Sequence, residues 1–550
     1  MTTSQALKTN TRFPDALDRI RAHCERLIEA TGVPGFAIAI TDRTETLATL
    51  EIGPANVDAG TPITPGTLFE TGSIDKVITA ALLMQLVDEQ KLDLRAPVRE
   101  YLPWFEVGGD RPPITTHHLL THTAGIFNGM DHSPDAASEA WSLRFTKPAI
   151  DPGEEPGYSN LGYKVLGLML EHLTGKSYQA LVRERIFEPL GIRDSHPAIT
   201  NAMRDQLAVG YVPRLGDRPW QVEHGFVPAT WLETGSADGC LAMTSGDLAT
   251  WLRALLNEGA GPEGAVLTRE QFRRMTEAEA GDDESWYGYG IERARDDRQN
   301  LIGHDGDMVG YTSAMLGDLM IGVGVVVFCN ATEPFLPTPV AEYALEMLQA
   351  VVRNADLPPE PEIETGERIP NAESYIGTYG AGDDQVTIFR AGDGLTMEID
   401  GRQVALARLP FSSDPDVMVL KDAELSRFPP RFGRNDAGEI VDCWMGDRWI
   451  PGTGYDGPTT FDVPEEWRAC PGHYRSHIPW DAGFRVVLRK GQLWRIRYDG
   501  VDFPLVPEGD GFRVGGADSP AWLRFTDIAD GKALRLVYEN GAEFYRFFLP

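Results

Sequence analysis

The chain has 550 residues, 42% hydrophobic and 24% charged, the make-up of a soluble globular protein rather than of a disordered tract or a fibrous repeat. Fifty Lys and Arg stand against 82 Asp and Glu, a net charge of -32, and such a surface repels phosphate backbones and anionic lipid headgroups. Neither nucleic acid nor membrane is therefore an expected partner. Five cysteines, Cys24, Cys240, Cys329, Cys443 and Cys470, are odd in number and lack metal-ligand spacing, so they read as reduced core thiols. The chain has no run of 18 apolar residues, and its first residues lack the apolar core of a signal peptide. A cytoplasmic protein is the expectation.

From about Asp15 to Val352, helical periodicity alternates with short β-branched runs such as Phe36 to Ile40 and Val323 to Cys329. That alternation predicts a mixed α and β domain over residues 1–353. Residues 357–370 are rich in Pro and Glu, can bury no apolar face, and place a linker at 354–370. Beyond it come short alternating runs punctuated by Asp-Gly and Gly-Asp turns, the pattern of antiparallel hairpins.

This tail repeats itself. Tyr375, Gly377 and Tyr379 match Cys470, Gly472 and Tyr474 as an opening, 95 residues apart, while Arg390, Gly392 and Asp400-Gly401 match Arg489, Gly491 and Asp499-Gly500, 99 apart. Two related antiparallel β-barrels are expected, at 371–464 and 465–550. The second would carry four extra residues within 475–483, a tract that includes Trp480 and Asp481.

Three stretches carry chemistry. Ser73 and Lys76 precede a run in which Ile74, Val77, Ile78, Ala81, Leu82 and Leu86 form one apolar face, so Ser73 opens a buried helix. Residues three apart share a side of that helix, and the Lys76 amine reaches the Ser73 hydroxyl. A serine needs a base to become a nucleophile, and a lysine serves if burial and the positive helix end disfavour its charge. Next, a turn-rich loop brings Tyr158, Ser159 and Asn160 to another helix start. Tyr158 can shuttle a proton to a leaving group, and the Asn160 amide can hold the lysine and a substrate carbonyl, though Ser-Asn is also an ordinary helix cap. Third, His304, Gly306 and Asp307 precede an apolar strand, where a glycine lets backbone N–H groups approach an oxyanion.

In this order, Ser73-x-x-Lys76, Tyr158-x-Asn160 and His304-x-Gly306 resemble the penicillin-binding-protein and class C β-lactamase family of serine hydrolases. Leu119-Leu-Thr-His122-Thr-Ala-Gly125 and Gly239-Cys-Leu-Ala-Met-Thr-Ser-Gly-Asp-Leu248 strengthen the likeness, which covers about residues 15 to 350. The resemblance implies a β-lactamase-like α+β domain, a helical region packed on an antiparallel sheet. It implies Ser73 as nucleophile, Lys76 and Tyr158 as its proton partners, and an oxyanion hole from the N–H groups of Ser73 and Asp307. His304 stands where β-lactamases and transpeptidases usually carry a lysine. That departure, with two lipocalin-like barrels after the catalytic domain, is similar to D-aminopeptidases. The expected activity is hydrolysis of small amides or short peptides, with a D-amino-acid amino terminus favoured and without cofactor or metal. Esterase, acyltransferase and β-lactamase chemistry share the same acyl-enzyme, and a non-catalytic penicillin-binding receptor is the alternative of another class. A homodimer is compatible with these expectations.

Other constellations carry less. His118 and His122 lie four apart but lack the Glu of a zinc-protease motif. Trp286 to Gly290 fits a pocket lining or a core strand equally. In the second barrel, Trp480 and Asp481, or the hairpin tip from Tyr498 to Asp502, are candidates to gate the cleft and face a substrate ammonium group, as a barrel loop does in the D-aminopeptidase that the chain resembles.

Overall fold

The computed structural model describes residues 7–548 apart from 134, 149, 263, 278–279, 282–284, 333–336, 367, 411, 413 and 498–499. Two compact units divide the chain, Met1–Val212 with Phe226–Glu362, and Pro213–Gly225 with Ile363–Pro550. Residues 213–225 thus interrupt the catalytic stretch that the sequence presents as continuous.

The first unit is built on an eight-stranded antiparallel sheet. Its strands are β1 (Phe36–Asp42), β2 (Thr46–Ile52), β3 (Ala280–Gly281), β4 (Ser285–Tyr287), β5 (Glu292–Arg295), β6 (Asn300–Met308), β7 (Tyr311–Asp318) and β8 (Val323–Cys329), in the order β2-β1-β8-β7-β6-β5-β4-β3. Helix α1 (Arg12–Thr31) ends on Gly32 in the left-handed conformation (φ 72°), which a residue without Cβ adopts at no steric cost. The remaining long helices are α2 (Asp75–Asp88), α3 (Asn160–Thr174), α4 (Ser245–Leu256) and α5 (Thr338–Val352). With α4 and α5 both packed against it, β8 is buried along its whole length, which explains its unbroken apolar sequence. Helix α2 departs from the one-faced pattern predicted for it. It is buried nearly all round, Asp75, Lys76 and Thr79 included, because α3 and the helix Arg269–Thr276 pack on it from different sides.

In the second unit the repeat appears as two rings of eight strands in the same order. The first comprises β9 (Gly377–Tyr379), β10 (Val386–Ala391), β11 (Gly394–Ile399), β12 (Arg402–Arg408), β13 (Met418–Leu420), β14 (Arg431–Arg434), β15 (Ile440–Met445) and β16 (Arg448–Pro451). It is not the closed barrel expected. β9 to β13 and β14 to β16 form separate sheets, and among the described residues single bridges, Val417 to Arg431 and Tyr379 to Gly452, link their edges. The second ring does close, through β17 (Gly472–Arg475), β18 (Gly483–Arg489), β19 (Gln492–Ile496), β20 (Asp502–Glu508), β21 (Gly511–Val514), β22 (Trp522–Ala529), β23 (Lys532–Tyr538) and β24 (Glu543–Arg546).

Strand register corrects the count of inserted residues. Gly377 pairs with Ile388, eleven residues on, and its counterpart Gly472 with Val486, fourteen on. The excess in the second hairpin is three, not four. The next hairpins turn on Gly392-Asp393 and on Lys490-Gly491, so the two turn glycines matched by sequence occupy different turn positions. Each ring opens with a tyrosine whose hydroxyl donates to a backbone carbonyl four residues back, Tyr379 to Tyr375 at 2.9 Å and Tyr474 to Cys470 at 2.8 Å. Both rings are buried, and each hydroxyl pins the chain where it enters its barrel. Tyr379→Phe and Tyr474→Phe should each lower stability by about 1 kcal/mol in urea unfolding, with the apolar ring still packed. An unchanged midpoint for both would show that these hydroxyls hold nothing.

Candidate active site

Ser73 lies in a single 3-10 turn, Gly72–Ile74, that runs directly into α2. Gly72 has a left-handed φ of 57°, and a Cβ there would lie 2.6 Å from Asp307 N. At Gly306 a Cβ would lie 2.0 Å from Thr71 O and 2.4 Å from Ser313 Oγ. Strand β6 therefore runs flush against the turn that carries Ser73, and steric contact alone demands glycine at both positions. Ser313 Oγ donates to Thr71 O at 2.7 Å, and Thr71 N donates to Leu241 O at 2.9 Å, fixing the turn from a second strand and a loop.

Lys76 is fully buried. Its Nζ donates to Asn160 Oδ1 at 2.7 Å and to the backbone carbonyl of Asp238 at 2.6 Å, and lies 2.9 Å from Ser73 Oγ. All three partners are neutral. Tyr158, 43% exposed, donates from its hydroxyl to Ser73 Oγ at 2.7 Å. The Lys76 Nζ also sits over its ring, 5.0 Å from the centroid. At the start of α3 the two readings of Ser-Asn divide between the two residues. Ser159 Oγ caps the helix by accepting from Gly162 N at 3.0 Å, which leaves Asn160 to reach the lysine.

His304, on β6, is buried and neutral. Its Nδ1 must carry the proton, since its partner at 2.6 Å is the Asp305 carbonyl oxygen, and its Nε2 then accepts from the Tyr287 hydroxyl at 3.0 Å. Burial, the largest cause, pushes its pKa down to about 4. The imidazole therefore brings no positive charge to this position. Tyr287 belongs to β4, so the Trp286 to Gly290 stretch is both strand and site lining.

Residues to which sequence reasoning gave no role at the serine also shape the site. Asp75, fully buried, accepts from Tyr178 OH at 2.7 Å and Cys240 N at 3.1 Å, tying the loop that presents the Asp238 carbonyl to the first turn of α2. Burial raises its carboxyl to about 7. His122 does more. Its carbonyl accepts from Gly157 N at 2.7 Å and its Nδ1 accepts from Ser159 N at 3.1 Å, bracketing Tyr158 on both sides. Its ring packs 4.3 Å from that of Tyr158 and 5.1 Å from those of Tyr163 and Tyr287. Nδ1 as acceptor leaves the proton on Nε2, which is buried without a hydrogen-bond partner. Burial, the largest cause, holds its pKa well below the ordinary value. The signal lay in the Leu-Leu-Thr-His stretch, whose histidine takes a left-handed backbone (φ 58°).

Among the described residues, one group has metal-ligand proximity, Glu292, His304 and Asp305. Both ring nitrogens of His304 are already engaged, which leaves two carboxylates. His118 Nδ1 caps its own helix through Thr115 N, so neither it nor His122 presents a free ligand pair. In the second unit Asp481 is ion-paired with Arg495, a partner the sequence did not predict, and Trp480 is partly exposed. Of the alternative hairpin tip, Tyr498 and Asp499 lie outside the described residues.

A serine hydroxyl contacting both a buried lysine and a tyrosine, at the junction of a helical region and an antiparallel sheet, defines the serine-hydrolase class of β-lactamase fold. The chain belongs to the beta-lactamase family, whose sequence profile matches residues 20–348. It is 30% identical to penicillin-binding protein 4 of Amycolatopsis lactamdurans over 309 residues, 54% of this chain and 79% of that one. It is 25% identical to protein flp of Staphylococcus aureus over 336 residues, 59% of this chain and 65% of that protein. The octameric penicillin-binding protein homologue from Pyrococcus abyssi shares its fold, with a TM-score of 0.56 at 24% identity over 79% of this chain and 99% of that one. Among the described residues no helix is long and apolar enough to cross a membrane.

If His122 positions Tyr158, His122→Asn, which keeps an acceptor near Nδ1 and tolerates a left-handed backbone, should retain most acylation activity. His122→Ala should lose about tenfold or more in kcat with KM little changed. Equal activity in wild type and His122→Ala would remove this role.

Proposed function

We propose that the protein hydrolyses small amides or short peptides through an acyl-enzyme on Ser73. The observation that carries this reading is the Ser73 hydroxyl held 2.9 Å from a Lys76 amine with only neutral partners and 2.7 Å from the Tyr158 hydroxyl. A neutral amine donates two hydrogens, here to Asn160 Oδ1 and the Asp238 carbonyl, and keeps its lone pair for the serine proton. Ser73 Oγ then forms a bond to the substrate carbonyl carbon while its proton passes to Lys76. The oxyanion is received by backbone N–H groups of Ser73 and Asp307, a role supported by the close approach of β6 to Gly72. As the C–N bond breaks, Tyr158 gives its proton to the departing amine and regains one from Lys76. Water attacks the ester, loses a proton to the same base, and frees Ser73.

Amide substrates with a free amino terminus fit the cleft wall. Glu292 and Asp305 lie within 4.8 Å of each other and of His304, and a cation-bearing substrate would answer their paired charge. The carboxyl of Glu292 is raised to about 7, first by desolvation and second by Asp305, so this recognition strengthens as pH rises through that range and is lost once the substrate ammonium deprotonates, at about pH 8. The preference for a D-residue rests on likeness to D-aminopeptidases, and ester hydrolysis and acyl transfer remain open to the same intermediate.

A panel of D- and L-aminoacyl amides, their N-acetylated forms, esters and β-lactams tests the substrate class. Free D-aminoacyl amides should give the highest kcat/KM, and Glu292→Gln should raise their KM about tenfold while leaving N-acetylated substrates unchanged. His304→Lys should shift preference toward carboxylate-bearing substrates rather than abolish turnover. Highest turnover of a β-lactam, or equal loss across every substrate in both variants, would refute the amidase reading.

A further inference from the structure

Near the turn that carries Ser73 lies a cavity of about 110 Å³, lined by residues of the first unit. That is somewhat less than the ~150 Å³ that receives a benzene ring, so a chain of about five heavy atoms fits. Two of its lining residues fix its place. Glu70 stands three residues before Ser73, and Val309 two residues after Asp307, the two residues whose N–H groups are assigned to the oxyanion. Three residues of chain span at most about 10 Å. An acyl group bonded to Ser73 thus begins close to this cavity.

Leu207, Leu232 and Val309 give it apolar walls. Glu70, only 4% exposed, brings a carboxyl to them. Among the described residues no hydrogen bond or ion pair answers that carboxyl. Several polar groups of the wall are engaged elsewhere, since the Tyr311 hydroxyl donates to the Ala208 carbonyl at 2.6 Å and the N–H groups of Ala208 and Val209 donate to Leu68 and Ala55. Trp231 Nε1 is buried and donates to nothing among the described residues, Glu70 included. Arg204, the other ionic side chain of the wall, is exposed and holds its guanidinium over the Trp231 ring, 4.9 Å from the centroid. Burial, with no neighbouring charge to oppose it, raises the Glu70 carboxyl to about 8. A carboxylate shut away from water without a partner is costly, and a cation brought to it offsets that cost.

On the reading that Ser73 forms an acyl-enzyme with amides, we propose that this cavity is the subsite for a basic side chain on the acyl residue of the substrate, a primary ammonium on a chain of about four carbons that meets the Glu70 carboxylate. The apolar walls cover the methylenes of such a chain while its charged end reaches the acid. A neutral side chain of the same length would leave the carboxyl unanswered.

The n-butylammonium ion, a lysine side chain without its backbone, tests the cavity apart from any turnover. Titrated calorimetrically into the full-length protein, at ionic strength held constant with sodium chloride, it should bind at a saturable site that Glu292→Gln leaves unchanged and Glu70→Gln weakens by about tenfold or more. 1-Butanol, of equal length and without charge, should bind wild type about tenfold or more weakly than n-butylammonium, a comparison that needs no variant to fold. In turnover, kcat/KM for D-lysinamide should exceed that for D-norleucinamide by about tenfold or more, and Glu70→Gln should bring the two together. Turnover of neither amide would refute the amide reading, and the titration would still decide the cavity. Absence of saturable n-butylammonium binding, 1-butanol bound as tightly, binding lost in Glu292→Gln rather than in Glu70→Gln, or equal kcat/KM for the two amides in wild type would each overturn the proposal.

Discussion

The catalytic unit depends on one buried contact, the amine of Lys76 held against Ser73 by hydrogen-bond partners that are all neutral. A lysine in an apolar interior is costly as a cation, and the usual remedy, an adjacent acid, would make it useless as a base. The fold instead surrounds the amine with the Asn160 amide, the Asp238 carbonyl and the serine. Those acceptors come from three separated stretches of chain. Each must be delivered by its own support, α3 with its Ser159 cap for Asn160, and the Asp75 hydrogen bonds to Tyr178 and Cys240 for the loop of Asp238.

The same requirement explains the character of the surrounding shell. His122 and His304 are both held neutral by burial, so they add hydrogen-bonding and aromatic surface without a competing charge. His304 is fixed between the Asp305 carbonyl and Tyr287, and His122 brackets Tyr158 through backbone N–H groups on either side. A charged lysine at position 304 would place a second cation beside Lys76. Beside His304 stand instead the carboxylates of Glu292 and Asp305.

How much of this could be read from the sequence follows from the range of the interactions. The Ser73-x-x-Lys76 pair is local, set by helix geometry, and so was visible. The strands Phe36–Asp42 and Val323–Cys329 were visible because their burial writes an unbroken apolar run. The Asp238 carbonyl, the contact of Tyr287 with His304 and the Nδ1 contact of His122 were not, because each joins residues far apart in the chain, and an isolated Asp, Tyr or His carries no spacing to mark its partner. The barrel repeat was legible from its tyrosines, but register was not. A turn glycine can shift by one place within a two-residue turn, so matching Gly392 to Gly491 overcounted the insertion. Asp481 read as an open carboxylate because its partner Arg495 lies on a strand whose register the sequence does not state.

The central claim is that the buried amine of Lys76 activates Ser73, and the most direct measurement is the rate and position of labelling by a fluorophosphonate, read by intact-protein and peptide mass spectrometry. The account predicts one phosphonyl group per chain, on Ser73, with labelling slowed by about a thousandfold or more in Lys76→Ala while the fold is retained. Label on another residue, or undiminished labelling of Ser73 in Lys76→Ala, would contradict it.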